Sequence, residues 1–144
     1  MDPAKDELVN AVAPGLQVAV MRLARRLRGE RTEGLTASQL SVLGVLVRMG
    51  PHAMSDLAAA ERVKAPSMTK TVAALVRAGL VEKGQDPGDA RVVLVSATAA
   101  GHEAVLRIRQ ARREWLTARL AGLEPDELDV LRRASEILLE VAQR

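Results

Sequence analysis

The 144-residue sequence has no cysteine, no phenylalanine and no tyrosine, and only one tryptophan, Trp115. Without cysteine there is no disulfide framework, no thiolate zinc site, no nucleophilic thiol and no sensing by cysteine oxidation. With so few aromatic rings the chain is a poor match for single-strand binders that stack successive bases on aromatic platforms. Long apolar runs are missing too. Nothing approaches the roughly eighteen residues of a membrane span, and Met1-Asp2-Pro3-Ala4-Lys5-Asp6-Glu7 lacks the basic start and apolar stretch of a secretion signal. A soluble, cytoplasmic protein without a membrane partner is expected. Histidine is limited to His52 and His102, no glycine-rich phosphate loop follows a strand, and no metal-ligand cluster falls at helical spacing. Enzymatic activity, a bound metal and a cofactor are therefore not expected.

What is present is enough apolar material for a core: 48% of the residues are hydrophobic, in a chain the length of one compact domain. The formal charge of +3 and pI near 9.9 suit a polyanion only if the basic residues cluster. No repeat, low-complexity tract or long linker divides the chain.

Residues 6–29 carry Leu8, Val12, Leu16, Ala19, Leu23 and Leu27 at helical spacing, with a basic end in Arg22, Arg25, Arg26, Arg28 and Arg31. Pro14-Gly15 predicts two pieces or a kink. Thr36-Ala37-Ser38-Gln39 has the form of a capping box and opens a helix that Gly50-Pro51 stops. Its apolar residues cover nearly the whole circumference, which predicts burial all round. A short helix fits Ser55 to Glu61, with Ser55 as its cap. The next begins at Pro66, runs to about Ala78 and ends at Gly79. On that second helix Met68, Val72, Leu75 and Val76 share one side, while Pro66, Lys70, Ala73 and Arg77 share the other. Leu80–Lys83 and Arg91–Val95 read as two strands of a hairpin, with Pro87-Gly88 suited to a type II turn. Two helices follow, from Thr98 to about Leu120 and from Pro125 to Val141.

Two short helices, a tight turn and a hairpin directly after the second helix give the winged helix-turn-helix order. The expected fold is mainly α with a small β-hairpin wing. Residues 34–97 form the winged helix-turn-helix, and residues 1–33 and 98–144 form a helical dimerisation region of the same single domain. A helix of this kind fits the major groove, where base edges present a distinguishable pattern, and its N-terminal end offers free N–H groups to phosphates. Candidate DNA-contacting residues are Ser55, Lys64, Pro66, Ser67, Thr69, Lys70 and Arg77, joined by Asp89 and Arg91 of the wing. Two residues apart on a strand, Asp89 and Arg91 share a face, so the carboxylate can orient the guanidinium for a narrow, electronegative minor groove. The rival reading is a winged domain that contacts another protein instead of DNA.

The run Asp86-Pro87-Gly88-Asp89-Ala90-Arg91-Val92-Val93-Leu94-Val95-Ser96-Ala97-Thr98-Ala99-Ala100-Gly101 resembles the wing signature of the multiple antibiotic resistance regulator (MarR) family. That signature is an Asp-Pro-x-Asp-x-Arg turn leading through an apolar strand to Thr-x-x-Gly. Leu57-Ala58, the run from Pro66 through Lys70, and Leu75 with Gly79-Leu80-Val81 fall in the same register. The resemblance implies a transcriptional regulator, a repressor acting as a homodimer whose paired helices read a palindromic double-stranded operator, with Arg91 in the minor groove. Two positions depart from the pattern. Ala90 stands where the family usually has a basic residue, and Arg62 stands where many helix-turn-helix turns have glycine, which predicts a looser or differently shaped turn.

The resemblance also implies release of DNA by a small aromatic or anionic ligand between the dimer helices and the winged core. Met21, Arg25, Met49, His52 and Trp115 are the candidates for such a cleft. Each also has a plainer reading: Met21 and Met49 as core fillers, His52 in a loop, and Trp115 at the dimer interface.

Overall fold

The computed structural model describes residues 2–144. Its first element, α1 (Pro3–Gly29), opens where the Asp2 carboxylate accepts the Ala4 N–H at 3.1 Å. It runs unbroken through Pro14, so the two-piece alternative at Pro14-Gly15 does not hold. The reason is local solvation. Proline removes the bond to the Asn10 carbonyl, but every residue from Val9 to Gly15 is exposed, so water can satisfy that oxygen.

Helix α2 (Ala37–Met49) begins with the expected capping box: the Thr36 hydroxyl accepts the Gln39 N–H at 3.2 Å, and the Gln39 side chain accepts the Thr36 N–H at 3.0 Å. Gly50, at φ +84°, ends it. Burial is a stripe of Val42, Leu43 and Leu46, not the whole circumference; Ser41, Arg48 and Met49 face outward.

A two-residue strand that no sequence pattern announced, β1 (His52–Ala53), leads into α3 (Met54–Ala60). Pairing of β1 with the wing starts the helix earlier than expected, so its N-cap is Ala53 and Ser55 is the second helical residue, without a capping bond. Helix α4 (Ala65–Arg77) likewise starts one residue before Pro66, with Lys64 at the N-cap.

Between α3 and α4 the turn is tight. The Arg62 N–H donates to Ala59 O at 3.2 Å and the Val63 N–H to Ala58 O at 3.0 Å, the paired bonds of a Schellman motif. This motif requires a left-handed residue after the cap, and Arg62 supplies it at φ +54°. The turn therefore keeps the shape that glycine would give it, contrary to the looser turn expected from arginine here. A β-carbon in that conformation costs about 1–2 kcal/mol, partly offset by the extra backbone entropy glycine loses on folding. Arg62→Gly should raise unfolding stability by about 0.5–1 kcal/mol, measured by thermal or urea denaturation. No gain would show that the arginine side chain offsets its backbone cost.

Strands β2 (Val81–Gln85) and β3 (Val93–Ala97) form the wing, with β3 central in the antiparallel order β1-β3-β2. Register runs from Val81 opposite Ala97 to Gln85 opposite Val93. Both strands lie one to two residues beyond the expected bounds, and the tip spans residues 86–92. The helices α5 (Ala99–Leu120) and α6 (Pro125–Gln143) complete the chain.

One core holds these parts together: Val42, Leu43 and Leu46 of α2, Leu57 of α3, Met68, Val72 and Leu75 of α4, Val81 and Val95 of the sheet, and Val105 of α5. Val76, expected on the inner side of α4, is 40% exposed. Neither α1 nor α6 contributes a buried residue.

Candidate nucleic-acid interface

The winged core buries one side of α4 and leaves the other open. Met68, Val72 and Leu75 anchor it, while Lys64, Ala65, Pro66, Ser67, Thr69, Lys70 and Arg77 are exposed. Ala73, expected outside, is half-buried. The helix contains no acid, and no side chain caps its first turn, so the N–H groups of Ala65 and Ser67 remain available at its positive end. The Thr69 hydroxyl donates to Ala65 O at 2.9 Å, which leaves its oxygen free to act as an acceptor. Ser55 is exposed on α3, the preceding helix.

The wing tip is organised by two carboxylates. Asp86 accepts the Gly88 N–H at 2.7 Å, and the Asp86 N–H donates to Val92 O at 3.0 Å. Asp89 accepts the Arg91 N–H at 3.1 Å, and its carbonyl accepts the Val92 N–H at 2.9 Å. The hydrogen-bonded turn is therefore centred on Ala90-Arg91. Gly88 lacks the positive φ that a type II turn at Pro87-Gly88 demands.

Asp89 and Arg91 meet through this turn, not along a strand as expected. Arg91 Nε lies 3.0 Å from one Asp89 oxygen and Nη2 lies 3.2 Å from the other, a bidentate pair. The Arg91 side chain nevertheless stays 90% exposed. Hydrogen bonding from the Arg91 side chain, then from its backbone N–H, holds the Asp89 carboxyl below the usual carboxylate range. The guanidinium is thus oriented by a partner that remains ionised at neutral pH, and its outer edge is open to solvent.

The five ligand candidates do not share one cavity. Arg25 borders a shallow hollow with Arg22 and Arg26 on α1. Met21 and Met49 are 60% and 64% exposed, which rules out core filling within the protomer. His52 lies in β1, not a loop, with Nδ1 2.8 Å from Gly50 O. Trp115 is half-buried, and the Arg119 guanidinium lies 3.6 Å from its ring centroid.

A different cleft stands out between the end of α1, α2 and α5. Arg28, Thr32, Ala37, Leu40, Ser41 and Arg112 line a hollow of about 450 Å³ there. A second hollow shares Leu40 and Arg112 and adds Arg48, Val105, Ile108 and Arg109. Among the described residues no acid lines either. The Nε of Arg112 is buried without a hydrogen-bond partner among the described residues, an arrangement that costs free energy unless something accepts from it. The signal was present in the sequence: Arg112 continues the Val105–Ile108 face of α5, where a further apolar residue belongs.

Comparison with known proteins agrees with the geometry. Residues 35–93 match the model of the MarR family. An uncharacterized HTH-type transcriptional regulator of Mycobacterium leprae is 44% identical over 131 residues, covering 90% of this chain and 92% of the relative. The HTH-type transcriptional repressor IacR of Pseudomonas putida is 26% identical over 146 residues, covering 95% and 84%. The crystal structure of a putative transcriptional regulator of Pseudomonas aeruginosa superposes with a TM-score of 0.80 at 32% identity, covering 93% of this chain and 96% of that one. With an exposed acid-free helix, an oriented wing arginine and relatives of this kind over nearly its whole length, the chain belongs to the MarR family of DNA-binding transcriptional regulators.

Proposed function

We propose that the protein is a repressor that binds a palindromic double-stranded operator as a homodimer. The observation that carries this reading is the pairing of two surfaces on one fold: the open face of α4, with Lys70 and Arg77, and Arg91 held by Asp89 at the wing tip. In this reading Ser67, Thr69 and Lys70 reach base edges or phosphates in the major groove, Lys64 and Ser55 contact the backbone, and Arg91 enters the minor groove. Pro66 contributes by starting the helix without an N–H that would need a partner. Repression is the role named for the Pseudomonas putida relative, and it fits a compact dimer whose occupancy of a promoter blocks transcription.

A gel-shift titration with duplex from upstream of the protein's own coding sequence, at two salt concentrations, tests this. A discrete complex is expected, weakening with salt by about 0.9 log units per log unit for each phosphate contact. Equal affinity for unrelated duplex of the same length would defeat operator recognition. No binding even at low salt would turn the α4 face into a protein-contact surface.

Ligand release rests on the Arg112 cleft. An anion accepting from Arg112 Nε would satisfy the orphan donor, with Arg28, Arg48 and Arg109 nearby and Leu40, Val105 and Ile108 supplying apolar contact. Arg25, Met21, Met49, His52 and Trp115 would take part only if the partner protomer brings them to it. A hundredfold loss of operator affinity needs about 2.7 kcal/mol of coupling between the sites. Titrating salicylate-like aromatic acids into the operator complex should release DNA from the wild type and not from Arg112→Leu. Equal release from both would place the ligand elsewhere.

A further inference from the structure

At the junction between the recognition helix and α5, one residue makes two hydrogen bonds to the helix end. Helix α4 ends in a second Schellman motif: the Gly79 N–H donates to Val76 O at 2.9 Å and the Leu80 N–H to Leu75 O at 3.0 Å, with Gly79 at φ +72°. The motif leaves the carbonyls of Gly79 and Leu80 pointing out of the helix end. Thr98 takes both. Its hydroxyl donates to Gly79 O at 2.6 Å and its backbone N–H donates to Leu80 O at 3.0 Å.

The same hydroxyl oxygen accepts the Gly101 N–H at 3.1 Å, making Thr98 the N-cap of α5. Gly101 is buried against the Leu80 carbonyl, and a β-carbon there would overlap that oxygen and press on Leu43 at 3.2 Å. No side chain larger than hydrogen allows this approach.

We infer that Thr98 and Gly101 are positioning residues for operator binding: they clamp the C-terminal end of the recognition helix to the N-terminal end of α5. The two helices then turn as one body, so the orientation of α5 sets where each recognition helix lies. This rests on the proposal of a homodimer on a palindrome, in which the two half-sites lie about 34 Å apart on one face of the duplex. β2 also packs on α4, and α2 packs on both α4 and α5; the clamp adds to this shared core by tying the backbone of the helix end itself to α5.

Thr98→Val tests the clamp, since it removes the hydroxyl and keeps the backbone N–H and the side-chain shape; Thr98→Ser restores the hydroxyl. Each variant, and the wild type, is titrated against operator of native half-site spacing and against operators with the half-sites moved by one base pair. Thr98→Val should lose about tenfold in affinity for the native spacing, from the hydroxyl's two hydrogen bonds removed in each of two protomers, and little on the shifted ones. Its spacing discrimination shrinks, its affinity for unrelated duplex is unchanged, its dimer persists by sedimentation, and Thr98→Ser behaves as wild type.

A plain loss of helix capping would lower all affinities together and leave the discrimination intact, which would overturn the inference. So would a Thr98→Val protein indistinguishable from wild type. If the wild type itself fails to prefer any palindrome, the operator reading fails and not the clamp. Amide exchange on the wild type covers the case in which Thr98→Val does not fold. The Thr98 N–H should exchange as slowly as the core amides of α4, and faster exchange would show that the clamp opens on its own.

Discussion

Replacing Leu8 and Ile137 together with glutamate should turn the proposed homodimer into a folded monomer and lower its affinity for operator by about 100- to 10 000-fold. Leu8 and Ile137 are 65% and 60% exposed, and neither α1 nor α6 buries any residue in the protomer. Helix α1 packs chiefly on α5, and α6 touches the other elements only slightly. Val12, Leu16, Val130, Leu131, Leu139 and Val141 are further exposed apolar side chains on the same two helices. Burying one such side chain contributes about 1.5–3 kcal/mol, and twofold symmetry doubles each contribution. A charge there opposes association twice over. Because the substituted side chains lie outside the core, the circular dichroism spectrum and the wing should survive. Binding a palindrome then becomes two separate events, without the high effective concentration that a linked second half-site provides. Sedimentation at micromolar concentration and a gel shift measure the two effects. A dimer that persists in the double variant would show that another surface joins the protomers.

The fold was legible wherever a local physical rule had no competitor. Thr36 and Gln39 cap α2 as their spacing requires, Gly79 ends α4, and Thr98 opens α5. Failures came where a distant partner or the solvent decides. Pro14 costs α1 a hydrogen bond and crowds the preceding turn, but on an exposed stretch the freed carbonyl can be hydrated and the helix continues. Strand β1 is two residues long and exists only because β3 pairs with it, so no periodicity could announce it, and the same pairing took the cap position from Ser55. At the wing tip Pro87-Gly88 had the composition of a turn, but the carboxylates of Asp86 and Asp89 bind backbone N–H groups on either side and move the turn to Ala90-Arg91. The candidate DNA-contacting residues followed from one helical projection and one motif. Arg112 was hidden by company: among Arg107, Arg109, Arg113 and Arg119 it reads as one more solvated charge, although it sits on the buried face.

The α4 face and the wing predict different kinds of loss. Lys70→Ala and Arg91→Ala should each weaken operator binding by about 1–3 kcal/mol, roughly 5- to 150-fold, if the side chain reads a base edge, with the preference for operator over unrelated duplex falling by a similar factor. A side chain bound to phosphate would instead, when removed, weaken both kinds of duplex alike. The salt slope would then fall by about 0.9 for each phosphate no longer neutralised, hence by about 1.8 for a symmetric dimer. Lys70 carries a point charge on a flexible stem and can serve either way. Arg91 is different, because Asp89 already holds its guanidinium in one orientation and much of the ordering cost is met before DNA arrives. Asp89→Ala separates orientation from charge. It frees Arg91 and removes a negative charge, so binding to unrelated duplex should strengthen while binding to operator weakens. Arg91→Ala should weaken both. The Asp89 carboxyl is held below its usual range by Arg91, so the pair is intact at neutral pH and the comparison is free of titration there. If Lys70→Ala and Arg91→Ala both keep wild-type affinity and salt slope, neither the α4 face nor the wing is where DNA docks. If Asp89→Ala changes operator and unrelated duplex in the same direction, Asp89 acts through its charge alone and the fixed arginine plays no part in recognition.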